Sequence, residues 1–170
     1  MEDVIEILNS GIKIEKNGIR SYLSYAFKTK DASGKNMFIK LAEDELSHME
    51  ILEKQLESLI CNQTWICQNI PESIIEKIAP RIRELDRPKS EQGLDELAAL
   101  KTALELEKKS IEFYKENKTK ISNSDATKLF ERLIEMEEAH YDLIQAEIDH
   151  IEQTGFWFGI REFTMEGERG

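Results

Sequence analysis

Only three prolines and eight glycines occur in 170 residues, so few points force a regular backbone to break. That scarcity argues against a turn-rich β-sandwich and against a collagen-like chain. Cysteine is nearly absent. Cys61 and Cys67 cannot build a disulfide framework, and two thiols fall short of a four-cysteine iron site. Free thiols in a reducing cytoplasm are expected, with a single structural disulfide as the other option. Basic residues are outnumbered, 23 Lys and Arg against 34 Asp and Glu, and the net charge is −11. A chain with no overall basic surface is not built to hold phosphates, which excludes a nucleic-acid partner. Nowhere do about 18 apolar residues follow one another, so no membrane span is expected. The opening Met1-Glu2-Asp3-Val4 lacks the basic n-region of a signal peptide, and a cytoplasmic protein is expected.

What is present is helical in character. The chain is 40% apolar and 34% charged. It is long enough to bury a real core as one domain spanning residues 1–170. Its acidic surface suits solubility and also attracts metal cations. Four stretches carry apolar residues at alternating spacings of three and four, the period of an amphipathic helix. The first helix is predicted at about 3–29, with the seam Leu8, Ile12, Glu15, Ile19, Tyr22 and Ala26. After a turn at 30–34, with Asp31 or Ser33 as N-cap, the second covers about 35–61. Its seam is Phe38, Leu41, Glu45, His48, Leu52, Gln55 and Leu59. The third covers about 94–119 with Leu97, Leu100, Leu104, Glu107, Ile111 and Tyr114. A turn at 121–125 offers several N-caps. The fourth covers about 126–153 with Phe130, Leu133, Glu137, His140, Ile144, Ile148 and Ile151, and Thr154-Gly155 reads as its C-cap.

Residues 62–93, punctuated by Pro71, Pro80, Pro88 and Gly93, have room for a short helix over Ser73–Ala79. A connection of about 30 residues is far longer than a hairpin turn needs and can run the length of a bundle. The expected fold is therefore all-α: an antiparallel four-helix bundle with one long crossover between its second and third helices. An aromatic tail at 155–170, with Phe156, Trp157, Phe158 and Phe163, is expected to close the bundle end or a subunit interface, with a docking peptide for a partner as the alternative.

The two halves repeat. Glu15 and Glu107, Ile19 and Ile111, Tyr22 and Tyr114, Phe38 and Phe130, Glu45 and Glu137, and His48 and His140 are each 92 residues apart. Two copies of one helical hairpin make a pseudo-two-fold bundle. Each copy carries a lone Glu and a Glu-x-x-His pair, and residues three apart share a helix face. The seams thus aim Glu15, Glu45, His48, Glu107, Glu137 and His140 into one interior. Four buried carboxylates repel one another, and each costs several kcal/mol unpaired. Two divalent cations would cancel their −4 charge, with the histidines neutral. Carboxylate oxygen with imidazole nitrogen suits iron, with manganese or zinc possible. Tyr22 and Tyr114 share these seams, as core packing or as hydrogen-bond donors or radical relays to the site. Glu43, Glu50, Glu135, Glu138 and Asp142 fall off the seams and read as surface, and His150 reads as a surface or packing residue.

The constellation resembles the rubrerythrin group of the ferritin-like superfamily. The resemblance covers all four helices and rests on Glu15 with Tyr22, Glu45-x-x-His48, Glu107 with Ile111-Glu112-Phe113-Tyr114, and Glu137-x-x-His140. It implies two irons bridged by Glu45 and Glu137, one held by Glu15 and His48 and the other by Glu107 and His140. It implies reaction with hydrogen peroxide or dioxygen in defence against oxidative stress. Two features depart from the peroxide-reducing members. Their extra carboxylate one turn after the third-helix ligand is replaced by Ser110, and its first-half counterpart is Gly18. Their fused rubredoxin domain is not found in these residues, so electrons are expected from a separate rubredoxin-like donor. A homodimer is expected. A ferroxidase feeding an iron store and a metal-stabilised module without turnover are the alternatives.

Overall fold

A computed structural model describes residues 2–82, 94–155 and 157. Its helices are α1 (Glu2–Lys28), α2 (Ala32–Asn62), α3 (Ile74–Ile82), α4 (Leu94–Lys118) and α5 (Ser124–Thr154). The all-α, ferritin-like bundle expected from the seams is present, and the short helix of the crossover starts one residue later and ends three residues later than predicted. Pro88, Gly93, Phe156, Phe158 and Phe163 lie outside the described residues.

Local chemistry sets the helix ends. Asp31 caps α2 by accepting from the backbone N–H of Ser33 and Gly34, which starts that helix three residues before the first predicted position. Asn123 caps α5 in the same way, through Asp125 and Ala126. At the far end Gly155 adopts φ 77°, and its N–H closes on the carbonyl of Ile151. Ser73 and Glu76 form a reciprocal capping box at the start of α3.

Helices α1 and α2 form one hairpin, α4 and α5 the other, and α1 packs along α4 while α3 lies on α5. The apolar core falls into two clusters. One gathers Tyr22, Met37, Phe38, Leu41, Leu100, Leu143 and Ile144, with Ile75 and Ile78 of α3. The other gathers Leu8, Ile12, Leu52, Tyr114, Phe130 and Leu133. Between these stretches of every long helix stand the six predicted polar residues, so a polar layer divides the core. Arg132 on α5 pins the crossover: it pairs with both carboxylate oxygens of Glu76 and donates to the carbonyls of Ile70 and Pro71.

Two seam assignments need correction. Leu104 and Ile111 are only partly buried, and the inner edge of α4 is Leu100, Ala103, Glu107, Ser110 and Tyr114. Ile19 of α1 is likewise only partly buried. On α4 the small Ala103 and Ser110 lie on the buried edge. Leu104, though partly buried, still packs against the apolar core.

Trp157 closes one end of the bundle. Its indole stands edge-on to Phe38 and its Nε1 donates to Glu96, which also accepts from the backbone N–H of Lys30.

Candidate metal centre

Each hairpin delivers three of the six polar side chains. Glu15 comes from α1, Glu45 and His48 from one face of α2, Glu107 from α4, and Glu137 and His140 from one face of α5. All six are buried. Their ligand atoms fall into two groups, each within 4.8 Å: Glu15, Glu45, His48 and Glu137, and Glu45, Glu107, Glu137 and His140. Glu45 and Glu137 belong to both.

The imidazoles face each other in the middle. Their rings stack with centroids 5.3 Å apart and planes 14° from parallel. His48 Nδ1 lies 3.1 Å from Glu137 Oε1 and 3.5 Å from Glu45 Oε2. His140 Nδ1 lies 3.4 Å from Glu45 Oε1 and 3.6 Å from Glu107 Oε2. The outer edges differ: His140 Nε2 meets Asp44 at 3.2 Å, whereas His48 Nε2 has no partner.

The tyrosines cross between hairpins. Tyr22 donates its hydroxyl proton to Oε1 of Glu107, and Tyr114 donates to Oε1 of Glu15. Both rings are fully buried, so each tyrosine packs the core and also orients a glutamate. Each lone glutamate is left with one oxygen satisfied and Oε2 bare. Oε2 of Glu15, Glu107 and Glu137 and Nδ1 of His140 are buried without a hydrogen-bond partner. Buried polar atoms are normally paired, and four such unpaired atoms, three of them carboxylate oxygens, in one cluster mark a place built for cations. The donor set of carboxylate oxygens and imidazole nitrogens fits a pair of divalent ions.

The titration behaviour points the same way. Burial, reinforced by the Glu45 charge, pushes the Glu15 carboxyl up to about 8. Burial and the charges of Glu15 and Glu107 push Glu137 well above the carboxylate range. Glu45 goes the other way: burial and the Glu137 charge push its carboxyl up, but the polar groups of Glu15, His140 and His48 close beside it more than offset them. Burial opposes charging of both imidazoles, yet the surrounding carboxylates hold His48 and His140 well above the usual histidine value. Without metal, the cluster balances its charge with protons. Divalent ions compete for the same atoms.

Two clefts approach this centre. Between α1 and α4, a cavity of about 180 Å³ is lined by Gly18, Tyr22, Glu45, Glu107 and Ser110, among others. A Cβ on residue 18 would stand 3.2 Å from Cγ and Cδ of Glu45, so glycine leaves this carboxylate its room. The Ser110 hydroxyl turns back to the carbonyl of Leu106. On the opposite side, between α2 and the crossover, a cleft of about 330 Å³ includes Asp44, Ser73 and Met136.

Glu43, Glu50, Glu135 and Glu138 are exposed as expected, and Asp142 and His150 are partly buried outside both ligand groups. Cys61 and Cys67 are exposed, unbridged thiols. Among the described residues no helix is long and apolar enough to cross a membrane. Sequence reasoning missed Asp44. It precedes Glu45 on the flank of the α2 seam, and only the packing of α5 shows which flank faces inward. Glu147, also buried, was missed too and lies outside both ligand groups.

Neither the curated proteins nor the solved structures contain a match to this chain. The family model described as Rubrerythrin matches residues 6–148, from the first helix through both Glu-x-x-His pairs. The span holds both hairpins, the crossed tyrosines and all six clustered side chains, and the chain belongs to the rubrerythrin family.

Proposed function

We propose that the cluster holds two iron ions and that the protein reduces hydrogen peroxide or dioxygen, in defence against oxidative stress. The observation that carries this reading is the convergence of six buried side chains from four helices, with three of their carboxylate oxygens and His140 Nδ1 unpaired among the described residues. In this reading Glu45 and Glu137, common to both groups, are shared by the ions. Glu15 and His48 complete one position, and Glu107 and His140 the other. Bound in its reduced form, the iron pair would supply the two electrons that the oxidant accepts.

The surrounding residues restrict what can react. The cavity beside Gly18 and Ser110 is about 180 Å³. This space has room for dioxygen or a peroxide and is small for a large organic substrate. Tyr22 on its wall keeps its proton on Glu107 and fixes that carboxylate. Apolar clusters on both sides hold bulk water away from the polar layer. Two cysteines in these residues cannot make a four-thiolate iron site, which supports a separate protein as electron donor. We also propose a homodimer. Phe27 is 89% exposed and Leu23 51% exposed one turn apart on α1, an apolar surface that a second copy would cover. Sedimentation equilibrium of the wild type against Phe27→Lys tests it.

The test of the reaction is anaerobic Fe(II) loading, desalting and iron counting, followed by stopped-flow oxidation with peroxide or air-saturated buffer. Two irons per chain, oxidised much faster than free Fe(II), are expected. Oxidation no faster than that of free Fe(II) would end the redox reading. Retention of many irons per chain would favour storage.

A further inference from the structure

We propose that Asp44 makes the two metal positions unequal, by supporting His140 while His48 has no such support. The proposal rests on the metal-centre reading above. The two halves match closely: each position has one lone glutamate, one tyrosine on that glutamate, one histidine and the two shared carboxylates. On the outer edge of the imidazoles the match fails. Asp44 accepts from His140 Nε2 at 3.2 Å. The residue 92 further on, where the repeat would place the acceptor for His48, is Met136. His48 Nε2 is accordingly buried with no partner among the described residues.

The chemistry follows from the ring. A histidine that donates one N–H to a carboxylate has its tautomer and orientation set, and its other nitrogen is a lone pair of raised basicity. For His140 that nitrogen is Nδ1, the atom facing Glu45 and Glu107. His48 has to leave an N–H buried and unsatisfied to present the same lone pair. Asp44 is itself held in place. It lines the cleft under the crossover, with the Ser73 hydroxyl beside it. Ser73 is locked to Glu76, and Glu76 to Arg132. Met136 lines the same cleft and offers no comparable acceptor. Loss of such an outer partner typically costs about 10–100-fold in metal affinity. The Glu107–His140 position should therefore fill first.

Anaerobic titration of metal-free protein with Co(II), followed by calorimetry and the visible Co(II) spectrum, tests this. The wild type should take up two ions in two steps about 10–100-fold apart. Glu107→Gln should remove the tight step, and Glu15→Gln the weak one. Asp44→Met, which copies the second half onto the first, should merge the steps by weakening the tight one. Met136→Asp gives His48 an acceptor and should tighten the weak step at least tenfold, a gain that misfolding cannot mimic. Two ions bound by the wild type with a single affinity, or two unchanged steps in Asp44→Met, would overturn the inference alone. No Co(II) binding by the wild type would overturn the metal-centre reading and the inference together.

Discussion

Tyr22 gives its hydroxyl proton to Glu107, in the opposite repeat, and not to Glu15, seven residues earlier on its own helix. Tyr114 returns the arrangement to Glu15. The phenols thus tie α1 to α4 across the polar layer. Tyr22→Phe should leave Glu107 short of a donor and destabilise the metal-free protein by about 1–3 kcal/mol. A double-mutant cycle with Glu107→Gln should show coupling, and one with Glu15→Gln should show little. Urea denaturation measures both.

Crowded carboxylates oppose folding when no metal is bound. Glu137 is fully buried and its carboxyl is pushed up by burial and by Glu15 and Glu107. Glu137→Gln keeps the shape and removes a charge from both positions. The metal-free variant should melt several degrees above metal-free wild type, and added Fe(II) or Zn(II) should no longer raise its Tm. Differential scanning calorimetry with and without metal reads the trade.

The sign of the pH dependence follows from the direction of the shifts. Glu15, Glu137, His48 and His140 all bind protons more tightly folded than unfolded. Their stabilisation is complete below the unfolded values and is lost as pH rises through the folded ones. For Glu15 the window runs from 4.5 to about 8. Asp44, Glu45 and Glu76 are depressed, so their contribution is lost in acid instead. Metal-free protein should therefore be most stable in mild acid and lose Tm toward pH 8. Metal uptake should release protons, measurable by calorimetry in buffers of different ionisation enthalpy.

Ser110 stands where the cavity between α1 and α4 meets Glu107. Ser110→Leu should fill that space and slow oxidation of the loaded protein by peroxide about tenfold or more, with iron still retained. Azide binding, followed by its charge-transfer absorption, should weaken in parallel.

Arg132 is the clamp on the crossover. Its side chain and that of Glu76 are only 18% and 11% exposed. Arg132→Ala leaves the largely buried Glu76 carboxylate without its cation and frees the carbonyls of Ile70 and Pro71. A loss of about 2 kcal/mol is expected. Amide exchange should rise first at residues 66–79.

The six clustered residues were legible in the sequence because each one breaks an apolar seam at a fixed offset. A buried charge in a periodic pattern is conspicuous, and the repeat doubles the signal. The α2 and α5 seams were read correctly, since Phe38 to Leu59 and Phe130 to Ile151 face one core. On α4 the apolar pattern misled. Leu104 and Ile111 are larger than Ala103 and Ser110, yet the smaller pair is the more deeply buried. Asp44 could not be read at all, because its role depends on which flank of α2 meets His140. The crossed tyrosine pairings were hidden for a related reason: spacing along one helix says nothing about the glutamate opposite.

A single hairpin of this chain carries a tyrosine whose acceptor is elsewhere, and a glutamate whose donor is elsewhere. It also holds only half of the shared carboxylates. Such a hairpin would be complete only against a copy of itself. The duplicated arrangement therefore has the form of an ancestral symmetric pair joined into one polypeptide, with the crossover as the splice. In a single polypeptide the two halves need not stay identical, and Asp44 against Met136, like Gly18 against Ser110, is a place where they differ.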